Sequence, residues 1–280
     1  MKIGVFSFNT DYGMRADTLA RALEERAFES LWVGEHTHIP ASRRSPYPGG
    51  GELPRPYYHM LDPFVSLMAA GSATTKLKLG TGICLAVERD PITLAKEVAT
   101  LDWMTGGRVL FGIGGGWNAE EMEHHGTAFR RRFKVLREHV EAMKAIWSSE
   151  EASYAGEFVQ FDRVISNPKP VQTPHPPIIY GGNTQAGLKR VVRYCDGWLP
   201  FDVNGEKLEP MVNELHALAR AAGRNPAALS ITVFCFSAPS AQTLERYRRL
   251  GAERVVVVAP RQPEALMHFL DDLVPLTALE

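Results

Sequence analysis

Five apolar runs in this chain each break off into a polar or glycine-rich end. They are Lys2–Phe8 (KIGVFSF), Leu31–His36 (LWVGEH), Leu77–Leu85 (LKLGTGICL), Val109–Trp117 (VLFGIGGGW) and Ile178–Asn183 (IIYGGN). Amphipathic helical sequence follows most of them. Strands alternating with helices require a parallel sheet with crossover helices. In such folds the site is built at the carboxyl ends of the strands, where these odd endings converge.

Read along the chain, strands fall at Lys2–Phe8, Ser30–Gly34, Leu77–Gly82, Arg108–Ile113, Ile178–Gly181, Gly197–Leu199, Ser230–Phe236 and Arg254–Val258. Helices fall at Arg15–Ala27, from Asp62-Pro63, from Asp90-Pro91, at Phe133–Trp147, from about Thr184, and at Leu208–Ala222, Ala241–Leu250 and Pro263–Leu273. Asp before Pro is an N-cap acceptor followed by a residue preset for the first helical position. Eight of each is the count of a (β/α)8 TIM barrel, an α/β fold, here a single domain over residues 1–280. The competing architecture is a doubly wound open sheet. Ser149–Pro177 breaks the alternation and reads as an insertion after the fourth helix, a hairpin over the top of the barrel. His36–Tyr58, rich in Pro and Gly, is long enough to be a lid.

The net charge of −1 gives no basis for binding nucleic acid or a membrane surface. Arg130–Arg132 reads as a solvated helix face, with contact to an anionic cofactor tail as the alternative. Cys84, Cys195 and Cys235 lack metal-ligand spacing, and the last two read as buried and inert. The start MKIGVFSF has no secretory pattern and no run has the length of a membrane span, so a cytoplasmic location is expected.

His36, ending the second strand, is well placed for proton transfer near neutral pH. A polar cap on a loop is the plainer reading. His36-Thr37-His38 also suggests a metal, but the ends of the fifth and sixth strands offer no further ligand. His124 and His125 fall in an expected loop. Gly112-Ile113-Gly114-Gly115-Gly116-Trp117 is neither a dinucleotide fingerprint nor a P-loop. Together with Gly181-Gly182-Asn183-Thr184 it suggests two backbone cradles for an elongated phosphate-bearing ligand. Gly80-Thr81-Gly82-Ile83-Cys84-Leu85 suggests a bulge approaching something flat. Trp117 and Trp198 are candidates to line the pocket, while Trp103 reads as helix packing.

These residues resemble the luciferase-like monooxygenase superfamily, and within it the coenzyme F420-dependent oxidoreductases. The resemblance runs from Met1 to about Pro200 and rests on Trp32-Val33-Gly34-Glu35-His36, Leu79-Gly80-Thr81-Gly82-Ile83, Asp90-Pro91 with Leu94-Ala95-Lys96, Ala99-Thr100-Leu101-Asp102 and Gly106-Gly107-Arg108. It continues through Phe111–Asn118, Pro168-Lys169-Pro170, Gly181-Gly182-Asn183 and Asp196-Gly197-Trp198.

The resemblance implies a barrel that holds F420 or FMN at its strands' carboxyl ends. It also implies a cis Gly82-Ile83 peptide supporting one face of the ring. His36 takes the functional role, and Glu35, Leu85 and Trp117 lie near the ring. Phosphate and tail contacts fall on Gly115, Gly116, Gly181, Gly182, Asn183 and Thr184. Trp117 replaces the acid of the sugar-phosphate dehydrogenases in this group, which argues against that reaction. Gly115 stands about where bacterial luciferases carry an arginine for the flavin phosphate, which favours the deazaflavin.

The expected activity is hydride transfer between F420 and a small organic substrate. An FMN-dependent monooxygenase, a non-enzymatic flavin or deazaflavin binder and a metallohydrolase are the alternatives. A homodimer and a partner reductase supplying reduced flavin or F420 are further expectations from the resemblance.

Overall fold

A computed structural model describes residues 1–201 and 203–277. Eight parallel strands close in the order β1 (Lys2–Ser7), β10 (Arg254–Val258), β9 (Ser230–Cys235), β8 (Gly197–Leu199), β7 (Ile178–Gly181), β4 (Val109–Ile113), β3 (Lys78–Thr81) and β2 (Ser30–Val33). This is the (β/α)8 barrel, and the open-sheet alternative is excluded.

The outer layer is α1 (Ala16–Glu25), α2 (Pro63–Ser72), α3 (Pro91–Met104), α5 (Arg132–Ser148), α6 (Gln185–Tyr194), α7 (Gly205–Ala221), α8 (Ala241–Arg249) and α9 (Pro263–Thr277). Both Asp-Pro starts are caps: Asp62 accepts from the Val65 amide at 2.9 Å and Asp90 from the Thr93 amide at 2.8 Å. Thr184 caps α6 by accepting from the Gly187 amide at 3.0 Å.

Two apolar masses hold the barrel. The larger fills the space between strands and helices. The smaller plugs the interior with Phe6, Trp32, Leu110, Ile179, Leu199, Phe234 and Val256. Trp32 accounts for Gly80: a Cβ there would stand 2.3 Å from the indole. The flat object that Gly80 clears is therefore part of the protein, not a ligand. This plug is also the floor of the site, because Phe6, Leu199 and Phe234 line the cavity above it.

Three expectations need correction. The insertion is a hairpin, β5 (Ala152–Ala155) with β6 (Gln160–Val164), but it lies along α5 and lines no part of the central cavity. The buried Glu138 carboxylate on α5 accepts from the Phe158 and Val159 amides at 2.7 and 3.2 Å, and Tyr154 donates to Glu141 at 2.8 Å. Those helix carboxylates fix the hairpin to the flank. Trp103 does not pack inward. It is 58% exposed on α3, where it follows the buried Leu101 and Asp102. The segment after β4 is not all loop, because a short helix, α4 (Ala119–His124), lies within it.

Candidate active site

The cavity opens at the carboxyl ends of the strands and encloses about 830 Å³ of space, counted out to its open mouth. Its walls are almost wholly apolar or aromatic, apart from Glu35, His36 and the Tyr57 hydroxyl. A mostly apolar pocket with a few polar groups is the usual form of a small-molecule site.

His36 follows β2 and is the polar group best placed for chemistry. Its Nδ1 lies 2.6 Å from Oε2 of Glu121 on α4. Oε1 of the same carboxylate accepts from the Thr37 amide at 3.0 Å. Glu121 is fully buried, so it fixes both the imidazole and the backbone that carries it. A carboxylate acceptor at Nδ1 leaves Nε2 as the atom available for exchange with a substrate. The rings of Tyr57 and Trp117 pack on His36 at centroid distances of 5.4 and 5.6 Å. Burial and the neighbouring Tyr47 hydroxyl push the Tyr57 phenol up, so Tyr57 remains a neutral donor.

Glu35 lines the cavity, but its carboxylate is already engaged. It accepts from the Leu85 amide at 2.6 Å and from Nε of Arg89 at 2.6 Å. Arg89 also pairs with Asp62 and Glu97. Glu35 thus braces the segment beyond β3, whose Gly82-Ile83 peptide is cis and lines the cavity. After this bulge the chain returns to β4, the Cys84 amide donating to the Gly112 carbonyl at 2.8 Å. Cys84, Cys195 and Cys235 are all buried thiols, and burial pushes Cys84 and Cys195 well up.

Beside this group lies a third acid. Both oxygens of buried Glu88 lack a hydrogen-bond partner. Burial first, then the charges of Glu121 and Glu35, push its carboxyl up to about 9. Glu88 is therefore neutral at pH 7, which spares Glu121 and Glu35 a third buried negative charge. A raised carboxyl pKa means the folded state holds a proton that the unfolded state releases above about pH 4.5. Stability falls between that value and about pH 9 as a result. Glu88→Gln is expected to raise the melting temperature at pH 9 more than at pH 5. An equal shift at both, in thermal melts, would show that Glu88 does not titrate this way.

The expected site residues separate into two groups. Glu35, His36, Gly82, Ile83, Leu85, Gly116, Trp117 and Gly181 all line the cavity. Gly115, Gly182, Asn183 and Thr184 do not. Gly115 backs onto the Phe133 ring, the Gly182 carbonyl accepts from the Trp198 indole at 2.7 Å, and Asn183 is hydrogen-bonded to the Phe201 backbone. Trp198 is buried in the apolar mass between strands and helices and does not line the cavity.

The sequence reading missed Glu121, and with it the aromatic wall of Phe6, Phe8, Phe201, Phe234 and Phe236. Asn118 followed by an acid three residues on, an N-cap signal, was the available cue to Glu121. The loop over residues 36–58 is tied to α4, where the Glu120 carboxylate accepts from Ser42, the Ser45 amide and Arg44. His38, His124 and His125 meet around Thr37 at the rim. No cluster of three or more described His, Cys, Asp or Glu residues is arranged to hold a metal, and no described helix is long and apolar enough to cross a membrane.

The profile described as luciferase-like monooxygenase matches residues 1–273, and the chain belongs to that family, whose members include F420-dependent and FMN-dependent enzymes. An uncharacterised protein of Mycobacterium tuberculosis is 40% identical over 268 residues, 93% of this chain and 92% of that one. The FMNH(2)-dependent dimethylsulfone monooxygenase of Pseudomonas putida is 32% identical over 201 residues, 71% of this chain but 53% of that one. Among solved structures, an F420-dependent secondary alcohol dehydrogenase in complex with an F420-acetone adduct superposes with a TM-score of 0.79 at 19% identity. That match covers 98% of this chain and 97% of the other.

Proposed function

We propose that this chain is an oxidoreductase that uses coenzyme F420 to exchange a hydride with a small, apolar organic substrate. One observation carries the reading: His36 faces an apolar cavity beside the Gly82-Ile83 bulge, with Nδ1 held by a buried carboxylate and Nε2 left for the substrate. The residues present suit a flat tricyclic ring. Gly82, Gly116 and Gly181 leave backbone walls without side chains, and Phe6, Leu199 and Phe234 make an apolar floor.

When bound, the deazaflavin supplies or accepts the hydride at its ring carbon. His36 moves the matching proton at Nε2, giving it to a substrate oxygen during reduction and taking it during oxidation. Glu121 holds the imidazole and balances its charge when protonated. Tyr57 donates to a substrate oxygen from the wall beside His36. The aromatic walls exclude water, which strengthens these polar contacts.

The second reading is a monooxygenase that takes reduced FMN from a partner reductase. The Pseudomonas putida relative favours it. Against it, Phe133 packs on Gly115 and fills the space that an arginine for a flavin phosphate would need at that position. Mixing the protein with reduced F420 and a panel of apolar ketones, aldehydes and enones tests the choice. Oxidation of F420 that depends on the acceptor and proceeds without O2 is expected. Turnover that occurs only with reduced FMN and consumes O2 would establish the second reading instead.

A further inference from the structure

The loop over residues 36–58 holds a second recess. Arg43, Tyr47, Gly51, Glu52, Arg55 and Tyr58 line it, and it encloses about 1150 Å³ of space, counted out to its open mouth. It shares no lining residue with the cavity described above. Its two arginines are held by rings instead of acids. The Arg55 guanidinium stands over Tyr12, 4.5 Å from the ring centroid, and that of Arg43 over Trp117 at 5.9 Å. Stacking uses the face of a guanidinium and leaves the N–H donors along its edge for an acceptor.

The protein supplies no such acceptor. Among the described residues neither arginine has an ion pair or a side-chain hydrogen bond, whereas the adjacent Arg44 pairs with Glu120 at 3.1 Å. Nη1 of Arg43 is buried and unpartnered. A desolvated donor left without a partner is costly. The backbone of Arg43 is strained as well, because its φ of 49° lies in the left-handed region that an arginine rarely adopts. Glu52, the acid on the recess wall, is exposed and pairs with neither arginine. His59, also on that wall, is engaged by Asp11 at 3.1 Å. Two unpaired cations therefore share one recess.

We propose that this recess is an accessory anion site, in which Arg43 and Arg55 take a small free oxyanion, a carboxylate or a phosphate, and that its occupation steadies the loop. Guanidinium edges match both groups with paired N–H donors. One aromatic wall links the site to the cavity. Tyr47 lines the recess, and its ring packs on Tyr57 at 5.4 Å and on Trp117 at 6.1 Å, both of which line the cavity. The Tyr47 and Tyr57 hydroxyls are 3.4 Å apart. An anion that holds Arg43 thus braces, directly and through Tyr47, the two rings that pack on His36. The inference holds whichever cofactor the cavity takes.

Isothermal titration of the cofactor-free protein with inorganic phosphate, and separately with citrate, tests the site. Saturable binding of at least one is expected, weakening as sodium chloride rises. R43Q/R55Q is expected to weaken it by at least about tenfold. R43K/R55K, which keeps the charge but loses the planar fork, is expected to retain part of the affinity. E52Q, which removes the acid from the recess wall, is expected to tighten binding, and a melt of each variant checks folding. Tryptic cleavage after Arg44 reads the loop itself. At about ten times its Kd the anion is expected to slow that cut about tenfold in the wild type, and not at all in R43Q/R55Q. Binding of neither anion, or equal binding by R43Q/R55Q, overturns the site. Should R43Q/R55Q not fold, E52Q decides: tighter binding supports the site and unchanged binding overturns it. Release of the bound anion by saturating F420 or FMN would give the arginines to the cofactor and overturn an accessory site. Unslowed cleavage with the site saturated overturns the steadying of the loop.

Discussion

His36→Ala is expected to reduce turnover by about 10²–10⁴-fold while the cofactor binds as before, the loss typical of removing a positioned proton-transfer group. The imidazole lines the cavity, and Glu121 holds its Nδ1 at 2.6 Å, so its removal takes away the proton path and little of the ring's binding surface. Glu121 acts through His36 and is a positioning residue. Glu121→Gln is expected to lower kcat with KM nearly unchanged, and Glu121→Asp to recover part of the loss. Steady-state kinetics beside a cofactor titration checks both. Full activity in His36→Ala would make the histidine a loop cap, and the account of the chemistry would fail with it.

Gly112→Ala is expected to be the most damaging small substitution in the barrel, costing about 3 kcal/mol or more. The added Cβ would stand 2.0 Å from the Thr81 carbonyl oxygen, which is backbone and has no side-chain rotation to relieve it. Thr81 is itself pinned: its hydroxyl donates to the Gly112 carbonyl at 2.7 Å, and the next amide, Gly82, donates to the Val33 carbonyl at 2.7 Å. The strain therefore falls on the β3–β4 junction from which the Gly82-Ile83 bulge departs. Chemical denaturation should show the loss, and bound cofactor should weaken in parallel. A loss under about 1 kcal/mol would mean the two strands part more easily than their hydrogen bonds imply.

The barrel was legible because its strands are buried on both faces and so read as continuous apolar runs, while the Asp-Pro caps mark two of its helices outright. His36 was legible because a strand end fixes where the residue lies. Glu121 was not, since six residues of α4 are too few to show a helical period, and the acid looks like any surface glutamate until α4 folds back on β2. The hairpin's existence could be read from its turn residues. Its side of the barrel could not, because that depends on Glu138 and Glu141 in a helix already passed. The aromatic wall draws on strands far apart in sequence, and no single strand distinguishes a residue in the interior plug from one at the rim.

The measurement that bears most directly on this account is a parallel titration of the purified chain with F420 and FMN, following tryptophan and cofactor fluorescence. Trp117 lines the cavity, so an occupied site should quench its emission. The account predicts tight, saturable binding of F420 with quenching, and much weaker binding of FMN. Tight FMN with little affinity for F420 would contradict the deazaflavin assignment, and saturation by neither would contradict the cofactor site itself.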